Sequence, residues 1–148
     1  MILSGYDLQQ YIARGGLSFS PDLGADQFQQ NGIDLILGEC ELRNLKSGQF
    51  TLGTTREKIT MPNDLMAFVE LRSTWARCGL LLPPTIIDAG FEGTITLEIV
   101  SFAENTLPIG QRFAHLIFAK LLTPADPYRG KYQGQSGITH ARKLDGAK

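Results

Sequence analysis

Two arginines and two carboxylates lie in neighbouring segments of the sequence, in types and spacings that suit anion binding and acid–base chemistry. Arg72 and Arg77 enclose two hydroxyl side chains within a six-residue segment. The planar guanidinium fork matches phosphate oxygens, and hydroxyl groups can hold a water molecule or an anion. Asp88 and Glu98 follow, ten positions apart. The pattern therefore indicates an anion-binding segment beside carboxylates that could move protons.

Each of these residues also has an ordinary structural interpretation. Glu98 can be an outward, solvated glutamate, and Asp88 can be a turn aspartate that bonds nearby backbone. The arginines can make weak surface ion pairs. Trp75, the only tryptophan of the sequence, is more often a core residue than a platform for stacking a base. Local sequence evidence alone leaves both interpretations open.

The sequence lacks several catalytic motifs, and their absence reduces the number of possible reaction types. A zinc nucleobase deaminase needs a His or Cys ligand beside a catalytic Glu, followed by a Pro-Cys-x-x-Cys pair. The sequence has no Cys-x-x-Cys, no phosphate-binding P-loop and no Gly-x-Ser-x-Gly elbow. His115 and His140 are far apart, and His115 is predicted to be a core or interface residue. We therefore expect no zinc, which leaves the carboxylates and arginines.

Composition and charge are those of one globular domain, assigned to residues 1–148. Hydrophobic residues make up 43%, charged residues 20%, and the net charge is −1. Such a charge argues against binding nucleic acid or anionic lipid, and Pro83 and Pro84 interrupt the longest apolar stretch, so no membrane span is predicted. The first residues lack the pattern of a secretory signal. Two cysteines cannot make a disulfide framework, and we expect a cytoplasmic protein.

The periodicity of apolar residues predicts the elements that must position these groups. Ser4 and Asp7 resemble a capping box before a short N-terminal helix that ends at Gly15 and Gly16. Beyond it the period changes to two, and turn residues separate the predicted strands. These strands are residues 33–37, 49–52, 67–71, 94–100 and 112–120. Their spacing predicts an all-β sandwich or barrel.

The strand at residues 94–100 decides how Glu98 is presented. Strict alternation predicts that Ile95, Leu97 and Ile99 face the core. Thr94, Thr96 and Glu98 should share the opposite face. From about Asp126 the alternation disappears and the chain becomes glycine-rich and basic, a composition that favours a solvated, frayed tail.

Four segments in register resemble the dCTP deaminase family of the dCTP deaminase/dUTPase superfamily, and more closely its archaeal type. The segments are QNGIDLILG at residues 30–38, RSTWARCGL at 72–80, IDAGFEGTITLE at 87–98 and YRGKYQGQSG at 128–137. The similarity runs in order from Met1 to about Arg142. Four ordered motifs are far more specific than any one of them.

The resemblance implies a distorted β-barrel or jelly roll of the dUTPase-like type, assembled as a homotrimer with active sites between subunits. It also implies that residues 126–148 form a tail that closes over the nucleotide. The implied activity is hydrolytic deamination of dCTP to dUTP and ammonia without a metal at the reacting carbon, which supplies dUTP for thymidylate synthesis. Magnesium would be bound through the triphosphate of the substrate.

The resemblance also implies roles for individual residues. Glu98 matches the catalytic glutamate, which takes a proton from water and passes protons to the ring nitrogen and the leaving ammonia. Ser73 and Arg77 match residues that hold the water and substrate near it, while Asp88 matches the residue that binds the sugar hydroxyl. The full nucleotide-binding set is Arg72, Ser73, Thr74, Trp75, Ala76, Arg77, Asp88, Thr96, Leu97, Glu98, Tyr128, Lys131 and Gln135.

Two alternative functions remain open at this stage. In the sister dUTP pyrophosphatases, the aspartate that matches Asp88 activates water to cleave the phosphate chain, and some members catalyse both reactions. Phe91 stands where those enzymes usually carry a tyrosine, and the tail lacks their Gly-Phe-Gly-Ser-Thr-Gly-like motif, which weighs against pyrophosphatase activity alone. The second alternative is a non-catalytic, nucleotide-binding regulatory trimer, which would have no need for Glu98.

Overall fold

Strands account for most of the regular structure in the computed structural model, which describes residues 1–143. The last five residues of the predicted tail, 144–148, lie outside the described residues. Two α-helices, α1 (Gly5–Ala13) and α2 (Ser73–Ala76), and one 3-10 turn (Ala25–Gln27) are present in the described part. The strands are β1 (Ser18–Ser20), β2 (Phe28–Gln29), β3 (Gly32–Cys40), β4 (Asn44–Leu45), β5 (Phe50–Thr60), β6 (Leu65–Leu71), β7 (Leu80–Leu81), β8 (Thr85–Ile87), β9 (Glu92–Ser101), β10 (Asn105–Thr106) and β11 (Arg112–Lys120).

Helix α1 begins at the predicted capping box. The Ser4 hydroxyl accepts the backbone N–H of Asp7 (3.2 Å), and the Asp7 carboxylate accepts the backbone N–H of Ser4 (2.9 Å). These bonds satisfy backbone donors that the first turn of a helix leaves free. Leu8 is fully buried, and Gly15 adopts a positive φ of 77° just beyond the helix. The predicted helix is confirmed.

An antiparallel sheet curls around the core and confirms the predicted all-β class. Its path within the described residues is β7-β9-β5-β3-β11-β6-β8, with β1 paired to β5 and β2 paired to β3. A separate small ribbon pairs β10 with β4. The largest fully buried side chains come from several strands, so one continuous core lies inside the curl. They include Ile33, Leu35, Ile59, Leu65, Leu97, Ile99, Phe113 and Phe118.

Four of the five predicted strands lie within observed strands, and the prediction for residues 112–120 matches β11 at both ends. The fifth, residues 49–52, identified only the beginning of β5, which continues to Thr60. The missed part carries polar residues where alternation would place apolar ones. Thr54, Thr55 and Glu57 are all buried there.

Buried Glu57 explains why the second half of β5 has an unusual sequence. Its carboxylate accepts the backbone N–H of Ile36 (3.0 Å) and the side-chain amide of Gln27 (2.8 Å). The register of β5 against β9 shifts between Thr54 and Lys58. At that irregularity the Thr55 hydroxyl accepts the backbone N–H of Ile95 (3.0 Å). Side chains thus replace ladder hydrogen bonds where the strand bulges.

Strand β9 presents the two faces that its sequence predicts. Ile95, Leu97 and Ile99 are buried in the core, whereas Thr96 and Glu98 are partly exposed on the other face. Strand β9 runs between β5 and the short β7. The core therefore fixes the direction in which Glu98 points.

Strands β3 and β11 can approach closely at Gly32 because this residue has no Cβ atom. A Cβ atom at Gly32 would lie 2.0 Å from the carbonyl oxygen of Leu116, whereas one at Gly16 would come no closer than 3.5 Å to the Tyr11 ring. We expect Gly32→Ala to lower the free energy of unfolding by about 1–3 kcal/mol, since the backbone must move. The matched variant Gly16→Ala should change it by less than about 0.5 kcal/mol. Urea denaturation at equal protein concentration measures both, and equal midpoints would contradict this packing.

Candidate active site

A large cavity, with a volume of about 550 Å³, lies against the polar face of β9. Strand β8, the following turn and the C-terminal tail form its other walls. Five predicted site residues line it: Asp88, Thr96, Glu98, Tyr128 and Gln135. Its apolar wall comes from Phe50, Leu52, Val69, Ile86 and Phe91. The cavity thus combines two carboxylates with apolar surface of the kind that accepts a flat ring.

Burial raises the pKa of the Glu98 carboxyl group above its ordinary value, although a backbone hydrogen bond opposes this effect. Glu98 lies across from Leu52 of β5, so part of its surroundings is apolar and the charged form loses hydration. A carboxyl group with a raised pKa accepts a proton more readily than one in bulk solvent.

A tight turn after β8 places Asp88 at the mouth of the same cavity. Phe91 donates its backbone N–H to the carbonyl of Asp88 (3.2 Å), and Gly90 within the turn has a positive φ of 75°. A Cβ at Gly90 would lie 2.6 Å from the Cα of Pro127. Glycine is therefore required here both by the backbone conformation and by the close approach of the tail. The exposed Asp88 side chain faces the cavity.

The tail is bound to the turn and to β9, so the interpretation of residues 126–143 as a frayed tail was wrong. Tyr128 donates its backbone N–H to Ala89 (2.9 Å), and its ring meets Phe91 edge-on with centroids 5.8 Å apart. Thr94 donates its backbone N–H to the carbonyl of Gln135 (3.0 Å), and the Gln135 amide donates back to the carbonyl of Thr94 (2.8 Å). Composition could not reveal these long-range bonds.

Further along, the tail supplies cavity residues that the sequence interpretation missed. Thr139 donates its backbone N–H to the Thr96 hydroxyl (3.1 Å), and Tyr132 and His140 also line the cavity. The His140 imidazole lies 2.7 Å from the Glu41 carboxylate. No local pattern marks these positions, because their role depends on the path of the tail. Lys131, in contrast, is exposed and donates to the carbonyl of Arg142.

The predicted site residues from Arg72 to Arg77 lie on a different surface, in α2 and at its two ends. Arg72 and Ser73 line a separate depression of about 260 Å³, together with Asp34, Glu70 and His115. Ser73, Thr74, Ala76 and Arg77 are exposed. Trp75 is half-buried; its indole N–H donates to the carbonyl of Arg112 (2.8 Å), and its ring packs near Phe113. Within one chain, then, Ser73 and Arg77 do not join Glu98, and their predicted roles stay predictions.

Charge is unevenly distributed between these two surfaces. Among the described residues that line the large cavity, none is arginine or lysine. The cavity contributes Asp88 and Glu98, whereas Arg72 and Arg77 flank α2 as its two cap residues. In residues 1–143 no group of three or more His, Cys, Asp or Glu side chains is arranged to hold a metal ion. None of the helices in this part of the chain is long and apolar enough to cross a membrane.

Solved structures share this architecture. The 2'-deoxycytidine 5'-triphosphate deaminase from Agrobacterium tumefaciens superimposes with a TM-score of 0.68 at 20% identity, over 81% of this chain; this chain spans 47% of the length of that protein. The dUTPase of EIAV gives a TM-score of 0.56 at 23% identity, over 79% of this chain and 98% of the viral one. The curled sheet is therefore a dUTPase-like fold.

Sequence comparison identifies the family within that fold. A dCTP deaminase-like family model matches residues 39–121. A dCTP deaminase from Sulfurisphaera tokodaii is 41% identical over 94% of this chain and 91% of its own length. A probable deoxyuridine 5'-triphosphate nucleotidohydrolase from Sulfolobus islandicus rod-shaped virus 1 is 44% identical over 97% and 99%. The chain belongs to the dCTP deaminase-like family, and the resemblance drawn from the four motifs is confirmed.

The anchoring role of Tyr128 can be tested by proteolysis. We expect Tyr128→Ala to accelerate tryptic cleavage after Arg129 and Lys131 about tenfold, since losing roughly 1.4 kcal/mol of packing on Phe91 raises the open population by that factor. The matched variant Tyr6→Ala removes an exposed ring from α1 and should leave the cleavage rate unchanged. Equal rates for Tyr128→Ala and the unmodified chain would contradict an anchored tail.

Proposed function

We propose that this protein hydrolyses dCTP to dUTP and ammonia. The observation that carries the proposal is the half-buried Glu98 carboxyl group in a ring-sized cavity, with its pKa raised by burial. The dCTP deaminases that resemble the chain over nearly its whole length support the same substrate. A purely regulatory nucleotide-binding protein would gain nothing from a desolvated carboxylate at this position.

The proposed reaction uses Glu98 as both base and acid. Glu98 takes a proton from water, and the resulting hydroxide adds to C4 of the cytosine ring, which carries the amino group. The proton passes to ring nitrogen N3. A second transfer moves the hydroxyl proton to the amino group, so that ammonia leaves and a carbonyl remains at C4. Water and dCTP are thereby converted to dUTP and ammonia, with no change in oxidation state.

We further propose that the complete site lies between subunits of a homotrimer. A triphosphate carries several negative charges, and the described lining of the cavity offers it carboxylates but no arginine or lysine. Helix α2 exposes Ser73 and Arg77 away from the cavity of its own chain, as expected of groups that serve a neighbour. The neighbour's Ser73 and Arg77 would hold the water and substrate beside Glu98, and a cyclic assembly repeats that contact at each interface.

The remaining contacts are proposed from the predicted nucleotide-binding set. Asp88 would bind the sugar hydroxyl, and backbone groups of Thr96 and Leu97 would read the edge of the base. Tyr128, Lys131 and Gln135 would contact the nucleotide from the tail, which closes over it. In the partner subunit, α2 and the residues at its two ends would bind the phosphates. The residues proposed for this contact are Arg72, Thr74, Trp75, Ala76 and Arg77. Magnesium would enter as part of the substrate, as the Mg²⁺ complex of dCTP.

In the cell, we propose that the enzyme works in the cytoplasm and supplies dUTP for thymidylate synthesis. A second activity, hydrolysis of dUTP to dUMP and pyrophosphate, is favoured by one observation. Asp88 lines the same cavity as Glu98, so a second carboxylate is available to activate water near the phosphates. The viral relative at 44% identity is a probable dUTP nucleotidohydrolase, which supports testing this activity in the same assay.

Replacing the catalytic carboxyl group gives the sharpest test of the proposal. With dCTP and Mg²⁺, the purified protein should release ammonia, whereas Glu98→Gln should lower kcat by at least about 100-fold, because the amide cannot take a proton. Nucleotide affinity should change little. The matched variant Glu104→Gln replaces an exposed glutamate outside the cavity and should retain full activity.

Product analysis in that experiment separates the candidate functions. Accumulation of dUTP identifies a deaminase, and dUMP with pyrophosphate identifies a bifunctional enzyme. Consumption of added dUTP alone identifies a pyrophosphatase. If the unmodified protein turns over neither nucleotide, the enzymatic proposal fails and a regulatory trimer remains.

Subunit complementation tests whether the site is shared. Glu98→Gln and Arg77→Gln proteins should each be nearly inactive, but co-expressed mixed trimers should regain up to about a third of normal activity. That fraction follows because, in a cyclic trimer that contains both variants, one interface of three pairs an intact Glu98 with an intact Arg77. Ammonia release by the mixed trimers measures it. Absence of any recovery, with mixed trimers verified by mass spectrometry, would place both groups within one subunit.

A further inference from the structure

A buried carboxylate outside the large cavity has no role in the proposed reaction. Asp34 on β3 is only 1% exposed. One carboxylate oxygen lies 2.8 Å from Nδ1 of His115, and the other lies 2.8 Å from Nε of Arg72 and 3.5 Å from a terminal nitrogen of Arg112. Its backbone carbonyl accepts the side-chain amide of Gln27 (3.0 Å). The Asp34 carboxylate of β3 is thus contacted by side chains from β11 and from Arg72, the residue that follows β6.

Burying a carboxylate is costly unless cations and hydrogen-bond donors surround it. Asp34 therefore constrains its partners, since any movement of Arg72 leaves a buried charge less well paired. Arg72 is the residue at which β6 ends and α2 begins. Its side chain is only 26% exposed, and its backbone N–H donates to the carbonyl of Phe113 (3.0 Å). The position of Arg72 is thus fixed on both its side chain and its backbone.

Helix α2 cannot hold its own position. It has four residues, too few for an isolated helix to be stable, because the cost of starting a helix is recovered only over several turns. The carbonyl of Arg72 accepts the N–H groups of Trp75 (3.0 Å) and Ala76 (3.2 Å), so the single turn is built on Arg72. Trp75 adds contacts with β11, since its indole N–H donates to the backbone carbonyl of Arg112 and its ring packs near Phe113. The Arg112 side chain lies beside Asp34.

We propose that Asp34 is a positioning residue for α2: through Arg72, its buried charge fixes the helix turn that presents Ser73 and Arg77 to the neighbouring nucleotide. This step rests on the proposed function for the identity of the ligand and for its place at the neighbouring subunit. Asp34 touches neither the large cavity nor the reacting atoms. It acts by aligning cationic and hydroxyl groups before the nucleotide binds, which spares the cost of ordering them during binding.

Fluorescence of the single tryptophan tests the alignment without reference to activity. In Asp34→Asn, we expect Trp75 emission to shift to longer wavelength and acrylamide quenching to increase, because α2 loses its anchor. The matched variant Glu57→Gln also neutralises a fully buried carboxylate, but its partners Gln27, Ile36 and Arg56 lie outside α2. Its Trp75 emission should match that of the unmodified protein. Identical spectra for Asp34→Asn and the unmodified protein would overturn the proposal.

Steady-state kinetics supply the second measurement. Asp34→Asn should raise KM for dCTP on the order of tenfold, since displaced binding groups lose their alignment, while Glu57→Gln should leave KM within about twofold at the same temperature below its melting point. The double variant Asp34→Asn/Arg72→Gln should raise KM no further than Arg72→Gln alone, because both changes break one connection. Additive effects would show that Asp34 does not act through Arg72.

The outcomes also separate this inference from the proposed function. If the unmodified protein releases no ammonia, the function fails, and the Trp75 measurement still decides whether Asp34 positions α2. Should Asp34→Asn fail to fold, the double variant, which leaves no unpaired charge on Arg72, provides the Trp75 spectrum. An unshifted emission in that folded double variant would equally overturn the inference.

Discussion

The partial burial of the Glu98 carboxyl group is the constraint on which the rest of the structure depends. Strand β9 alternates between a core face and a cavity face, so the packing of Ile95, Leu97 and Ile99 also directs Glu98 into the cavity. Apolar neighbours then remove part of its water and raise its pKa. A carboxyl group in bulk solvent would keep an ordinary pKa, and it would offer no particular advantage in moving protons around a bound ring.

The same strand organises the tail, and this links core packing to the closing of the cavity. Backbone and side-chain bonds from Thr94 and Thr96 hold the tail along β9, and Tyr128 rests on Phe91. Because these partners are fixed by the core, the tail needs no core of its own. A glycine-rich segment, flexible in isolation, gains its order from a strand that is already rigid.

The carboxylates of the cavity are kept apart from Arg77 within a single chain. Asp88 and Glu98 face the cavity, whereas Arg77 is exposed at the end of α2 and Arg72 is paired with Asp34. In the assembly that we propose, Arg77 meets the cavity carboxylates only across a subunit boundary, where the phosphates of a nucleotide can bind between them. The relatives include deaminases and a probable dUTP nucleotidohydrolase. Both act on deoxynucleoside triphosphates, so one arrangement for sugar and phosphates suits either reaction.

The sequence by itself determined the all-β class, the cap of α1, the two faces of β9 and the family, because each depends on neighbouring residues or on ordered motifs. It did not reveal the second half of β5, where buried Glu57 breaks the alternation, or the charge cluster around Asp34. Nor did it reveal the course of the tail past Thr139 and His140. Only the tertiary structure decided these features, since a buried carboxylate or an anchored tail is stabilised by partners distant in sequence, and local patterns carry no information about such contacts.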